Sequence, residues 1–174
     1  MKRILSCLAV VLLAGTVSAQ AGSFGVFGSY WDSDEADSAA GAGVLVGFNF
    51  TSRLTLEFLG TFFDDFEADE FATTFDVSVI PIDAGLRIDL LQDKVVNPYI
   101  GGGVTYYILD TDLGEIDDEG GYYGQFGLDF GSEHVRFFVE GMYRHAEGTV
   151  EEGGLDADID FTGLTGNAGV IWRW

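Results

Sequence analysis

From residue 22 onward the chain reads as runs in which bulky apolar side chains fall on every second residue, separated by short polar turns or acidic stretches. Eight runs stand out: 22–31, 40–50, 54–63, 71–90, 97–109, 121–130, 135–144 and 159–174. A period of two over such lengths predicts β-strands. The links between runs alternate in kind. Thr51-Ser52-Arg53, residues 91–96 and residues 131–134 are short. The other four are longer and acidic, centred on 32–39, 64–70, 110–120 and 145–158. Short turns at one end and long loops at the other predict an all-β, eight-stranded antiparallel up-and-down barrel, with both chain ends on the short-turn side.

The two faces of the runs differ in composition. One parity carries Val44, Val46, Phe48, then Leu54, Leu56, Phe58, then Val104, Tyr106, Ile108, then Val135, Phe137, Val139, then Val170, Trp172, Trp174, with no charge. The other carries Gly43, Gly47, Asn49, Thr55, Glu57, Gly101, Gly103, Thr105, Gln125, Asp129, Arg136, Glu140 and Arg144. A solvent face would be studded with lysine and glutamate. Small residues with a few opposite charges suit the crowded inside of an eight-stranded barrel, where only side chains fit. The bulky apolar face is therefore expected to meet lipid, which makes this a transmembrane β-barrel.

The fourth run tests that assignment. Phe75, Val77 and Val79 share one parity, whereas Ile80, Ile82, Ala84, Leu86 and Ile88 share the other. A β-bulge at Val79–Pro81 is expected to absorb the switch. Without it, Asp83 and Arg87 would face lipid, at a cost of about 2–4 kcal/mol for arginine near the bilayer centre.

The first residues are expected to be a signal peptide rather than fold. Lys2 and Arg3 precede an apolar stretch, Ile4 to Val17, and small residues at 17–21 offer cleavage after Ala19 or after Ala21. Residues 1–19 are thus assigned to the signal peptide and 20–174 to the barrel domain. Cys7 falls inside the apolar stretch, too early for a lipoprotein cysteine, and no cysteine follows it. Removing Lys2 and Arg3 leaves 6 basic residues against 29 acidic ones, a formal charge of −23. Nucleic acid, which needs clustered cations, is excluded as a partner.

Several segments carry a family resemblance: VIPIDAGLRIDLL (79–91), NPYIGGGVTYY (97–107), FFVEGMYR (137–144) and the ending NAGVIWRW (167–174). The chain resembles the small eight-stranded outer-membrane barrels of the OmpA, OmpX and opacity-protein type. That resemblance implies an outer-membrane location, with lipid and lipopolysaccharide as surroundings. It also implies recognition of the last strand by the barrel insertion machinery. The family usually ends in Phe, and Trp174 departs from that habit.

Candidate chemistry is sparse. Glu57, Arg87, Asp129, Arg136, Glu140, Arg144 and Arg173 fall on inward positions and are expected to form a lumen ion-pair network, closing the interior rather than lining a path. The segments 32–37, 64–76, 110–119 and 147–160 hold 22 acidic residues and no Lys or Arg. Within them Asp110, Asp112, Glu115, Asp117, Asp118 and Glu119 are spaced closely enough to offer oxygen ligands to Ca²⁺ or Mg²⁺. The plainer expectation is a solvated acidic surface without a resident cofactor. His145-Ala146-Glu147 lacks a serine beside the histidine, so no hydrolase is expected. The favoured role is a structural or surface-interaction barrel acting through acidic loops. The alternatives are a narrow passage for small solutes or apolar compounds, and a soluble extracytoplasmic binding barrel.

Overall fold

A computed structural model describes residues 22–33, 38–68, 75–91, 95–110, 119–152, 155–160 and 162–174. The expected signal peptide lies outside these residues. Among the described residues nine strands form: β1 (Gly22–Ser33), β2 (Ala39–Asn49), β3 (Leu54–Ala68), β4 (Phe75–Asp89), β5 (Val96–Asp110), β6 (Glu119–Gly131), β7 (Val135–Glu152), β8 (Leu155–Asp160) and β9 (Gly163–Arg173). Each of the first seven pairs antiparallel with the next. β9 pairs with both β1 and β7, which closes eight strands into an up-and-down barrel. β8 pairs only with the far end of β7, Glu147 to Glu152, as a hairpin beyond the barrel. The stretch expected as an acidic loop at 145–158 is therefore largely strand.

The short turns are built locally. Thr51 Oγ1 accepts hydrogen bonds from the backbone N–H of Arg53 (3.2 Å) and Leu54 (3.0 Å), folding the β2–β3 link back on itself. At the β6–β7 link, Gly131 adopts φ 145°, open to glycine, and Ser132 Oγ accepts from Val135 N–H at 3.1 Å.

The expected bulge at Val79–Pro81 does not form. From Ser78 to Asp89 the β4–β5 register runs without a shift, through Pro81. The irregularity sits one strand over, where Asp64 and Asp65 of β3 lie between the pairs Phe63↔Val79 and Phe66↔Val77, opposite the single Ser78. The expectation assumed that every bulky apolar residue must point outward. Val79 instead points inward and is buried, set opposite the buried Phe63 of β3, so no switch of face is needed there. Asp83 and Arg87 are inward and buried in the same register.

Outward positions form an apolar belt. Val104, Phe126 and Phe137 are 62%, 56% and 52% exposed. Tyr30, Tyr106, Tyr122 and Tyr143 ring the loop end of the belt. Phe50, Phe130, Trp172 and Trp174 ring the turn end, where Phe24 stacks on Trp172 and Phe130 on Phe137. Aromatic girdles flanking an apolar band are the surface of a barrel in a bilayer. A closed barrel leaves no open sheet edge, so it resists detergent unfolding. The protein should migrate differently on SDS gels before and after boiling, and should need detergent for extraction. Co-migration of the two samples, with release into plain buffer, would overturn the lipid-facing belt.

Candidate functional site: the filled lumen

Inward residues fill the barrel in tiers. At the turn end, Asp129 of β6 is the hub. Arg87 of β4 and Arg136 of β7 both ion-pair with it, and Arg173 Nη2 of β9 reaches it at 2.9 Å. Arg87 also donates to Asp89 Oδ1 (2.8 Å), lies 3.5 Å from Glu57 Oε1, and stacks its guanidinium 3.6 Å from the centre of the Tyr99 ring. Arg136 Nη2 donates to the backbone carbonyls of Val95 and Asp129, both at 3.2 Å. Four strands are thus tied through one carboxylate.

The middle tier mixes polar chains with an apolar cluster. Ser29 Oγ donates to Asn167 Oδ1 (2.7 Å), Asn167 Nδ2 donates to Glu140 Oε1 (2.9 Å), and the Tyr99 hydroxyl donates to Glu140 Oε2 (3.0 Å). Gln125 Nε2 donates to Glu57 Oε2 at 3.0 Å. Around them Phe27, Leu45, Leu59, Tyr123, Phe138, Met142 and Ile171 pack as a buried cluster. In the upper tier Arg144 Nη2 pairs with Asp83 Oδ2 at 2.7 Å, both side chains fully buried. Arg144 Nη1 donates to Thr165 Oγ1, and Thr105 Oγ1 donates to Asp83 Oδ1, each at 2.6 Å. Trp31 packs edge-on to Phe63 (5.3 Å) and beside Tyr107 (6.1 Å), with the Arg144 guanidinium 5.7 Å from its ring.

All seven expected lumen residues point inward, but they do not form one network. Glu57, Arg87, Asp129, Arg136 and Arg173 meet at the turn end. Arg144 belongs to a separate upper pair, and Glu140 accepts from the neutral donors Tyr99 and Asn167. Sequence reasoning did not name Asp83 or Asp89 as members. Both sit on the same parity as Arg87, which was the signal available. Of the candidate cation ligands, Asp112, Glu115, Asp117 and Asp118 lie outside the described residues, and only the backbone positions of Asp110 and Glu119, at the ends of β5 and β6, are described. His145, on the outer side at the loop end, has Nδ1 2.8 Å from Thr162 Oγ1, with its ring centre 4.8 Å from that of Tyr122.

No protein-family model matches the chain, and no curated protein matches it in sequence. Solved structures do. The outer membrane protein OprG of Pseudomonas aeruginosa superposes with a TM-score of 0.73 at 18% identity, over 89% of this chain and 97% of that one. The fold is that of the small eight-stranded outer-membrane barrels. Neisserial surface protein A follows with a TM-score of 0.63 at 16% identity, over 88% of this chain and 96% of its own. Outer membrane protein AlkL, solved in lipid bilayers, gives 0.62 at 14% identity over 89% and 90%. At these identities the likeness is one of architecture, and with the aromatic girdles it assigns the outward face to lipid.

The tiers set an order of mutational cost. Removing one member of a buried ion pair strands its partner, at about 3–5 kcal/mol. Arg136→Ala should lower the unfolding midpoint strongly, whereas Arg53→Ala in the exposed β2–β3 turn should stay within about 0.5 kcal/mol. Glu140→Gln, which faces neutral donors, should cost less than Asp129→Asn, which takes the shared negative charge from three arginines and replaces one acceptor oxygen with a donor. Denaturant midpoints of the four variants check this ranking. Equal midpoints for Arg136→Ala and Arg53→Ala would remove Asp129 as the hub.

Proposed function

We propose that this protein is a closed structural barrel of the outer membrane whose task is to hold acidic loops at the cell surface, where they engage divalent cations and cationic surfaces. The observation that carries the reading is the filled lumen. An ion-pair hub at the turn end, a middle tier of hydrogen-bonded polar side chains and an apolar cluster, and an arginine–aromatic layer at the loop end lie in series across the interior. Among the described residues, ions entering from either end meet buried side chains packed and hydrogen-bonded across the interior.

The loop end of the molecule supports the second half of the reading. Beyond the barrel the β7–β8 register sets Glu147 opposite Asp160 and Glu151 opposite Asp156. Like charges directly across a strand pair destabilise it, and cations relieve that repulsion. Screening by monovalent salt acts over about 10 Å at 0.1 M. Coordination needs several oxygens on one ion, which is the role proposed for Asp110, Asp112 and Glu119 with the acids between them.

Two measurements test this. In planar bilayers the barrel should show no steady conductance, and a stable open channel would favour the passage reading. In calorimetry at fixed ionic strength, Ca²⁺ should titrate the wild type saturably. The variant Asp110→Asn/Asp112→Asn/Glu119→Gln should lose most of that response. If the two respond alike, the segment 110–119 is a solvated acidic surface without a cation site.

A further inference from the structure

At the turn end the lumen opens into a cavity of about 290 Å³, lined by the β2–β3 turn, Asp89 of β4 and Arg173 of β9. Its floor belongs to the ion-pair hub, which closes it towards the barrel interior. Asn49 and Thr55 add polar groups to its wall, and Phe50 adds an aromatic one. Thr55 Oγ1 donates to Asn49 Oδ1 at 2.8 Å, which leaves the Asn49 amide N–H₂ to face away from Thr55.

Asp89 and Arg173 bring opposite charges to this one space, yet each makes its ion pair elsewhere. Asp89 Oδ1 accepts from Arg87 Nε at 2.8 Å, and Arg173 Nη2 donates to Asp129 Oδ2 at 2.9 Å. Those bonds anchor both side chains on the hub side. A carboxylate has two acceptor oxygens and a guanidinium five N–H donors, so both keep capacity to spare. Exposure agrees: the side chains of Asp89 and Arg173 are 13% and 28% exposed, whereas those of Arg87 and Asp129 are 3% and 0%. The hub therefore presents to solvent one acceptor and one donor of opposite charge, side by side in a small cavity.

We propose that this cavity binds a small zwitterion, a solute carrying a primary ammonium and a carboxylate, taken up from the turn-side compartment. In barrels of this kind the short turns face the periplasm. The carboxylate takes the remaining N–H groups of Arg173 and the amide of Asn49. The ammonium takes the second oxygen of Asp89, and Phe50 shelters the carbon skeleton between them. Both contacts are charge-assisted hydrogen bonds. The pairing of charges also excludes competitors, as specificity requires. A simple anion drawn to Arg173 meets the Asp89 carboxylate, and a simple cation drawn to Asp89 meets the Arg173 guanidinium. An ammonium without N–H groups gives Asp89 no donor. The site ends on the hub and needs no path through the lumen, and it is independent of the acidic loops.

The test uses the barrel folded in phosphatidylcholine nanodiscs and follows the amide signals of residues 49–55 and the Arg173 Nε–H by NMR. Free glycine, β-alanine and 4-aminobutyrate, which differ in the spacing of their charges, are titrated in turn. At least one should shift these signals saturably. Its N-acetyl form, which lacks the ammonium, and its amide, which lacks the carboxylate, should each bind about tenfold more weakly or worse, the loss expected on removing a hydrogen bond to a charged group. Asp89→Asn and Arg173→Gln should weaken binding to a similar degree, and Arg53→Gln in the neighbouring turn should not. Asn49→Leu, which fills the cavity without touching the hub, should remove binding while the gel shift on boiling is kept. That variant and the blocked ligands decide the matter if a hub variant does not fold. No saturable shift with any of the three solutes, equal binding of a blocked form, or full affinity in Asn49→Leu would overturn the site.

Discussion

Strand number is the constraint on which the rest of the molecule depends. Eight antiparallel strands satisfy every ladder and close on themselves, as a bilayer demands. The same number fixes an interior just wide enough for side chains. Every inward residue must then fill space and find partners for its polar atoms. Gly43 and Gly127 show how tight this is. A Cβ on Gly43 would strike the Phe27 ring, and one on Gly127 would strike the ring of Tyr99, the residue on which Arg87 stacks. Glycine on the wall is what admits the rings, and the rings in turn position the guanidinium.

The filled lumen also shapes the outside. Four of the six basic residues beyond position 21 are lumen arginines: Arg87, Arg136, Arg144 and Arg173. They are nearly balanced by the buried or inward acids Glu57, Asp83, Asp89, Asp129 and Glu140. Arg53 sits exposed in the β2–β3 turn, and Lys94, between β4 and β5 in the chain, lies outside the described residues. The loop end is consequently acidic without internal compensation. That surface asymmetry follows from how the interior was neutralised.

The fold was legible because alternation, turn length and facial composition all pointed the same way. The eight barrel strands, their order and the inward parity of the second, third, fifth, sixth, seventh and last of them could be read from residues alone. Two parts could not. The bulge was expected at Val79–Pro81 because the lumen was taken to be polar. A lumen that also holds Trp31, Phe63 and Phe138 accepts Val79, and the extra residue went to Asp64–Asp65. The partition of the charges was hidden as well. Heights on non-adjacent strands depend on the register of every strand between them. Nothing local in the sequence says that Arg144 of β7 meets Asp83 of β4, or that Glu140 meets Tyr99 of β5.

Glycine carried the least information in sequence and the most in structure. Inward and outward glycines read alike in the strand runs, yet they do opposite things. Gly43 and Gly127 are demanded by rings that press against them. Gly28, Gly141 and Gly166 face open space. A glycine in a strand interior costs roughly 0.5–1 kcal/mol relative to alanine. The inward ones recover that through the aromatic packing they permit. For the outward ones the chain itself offers no packing within 4 Å of such a Cβ, so their openness is a property of the wall and not of the core.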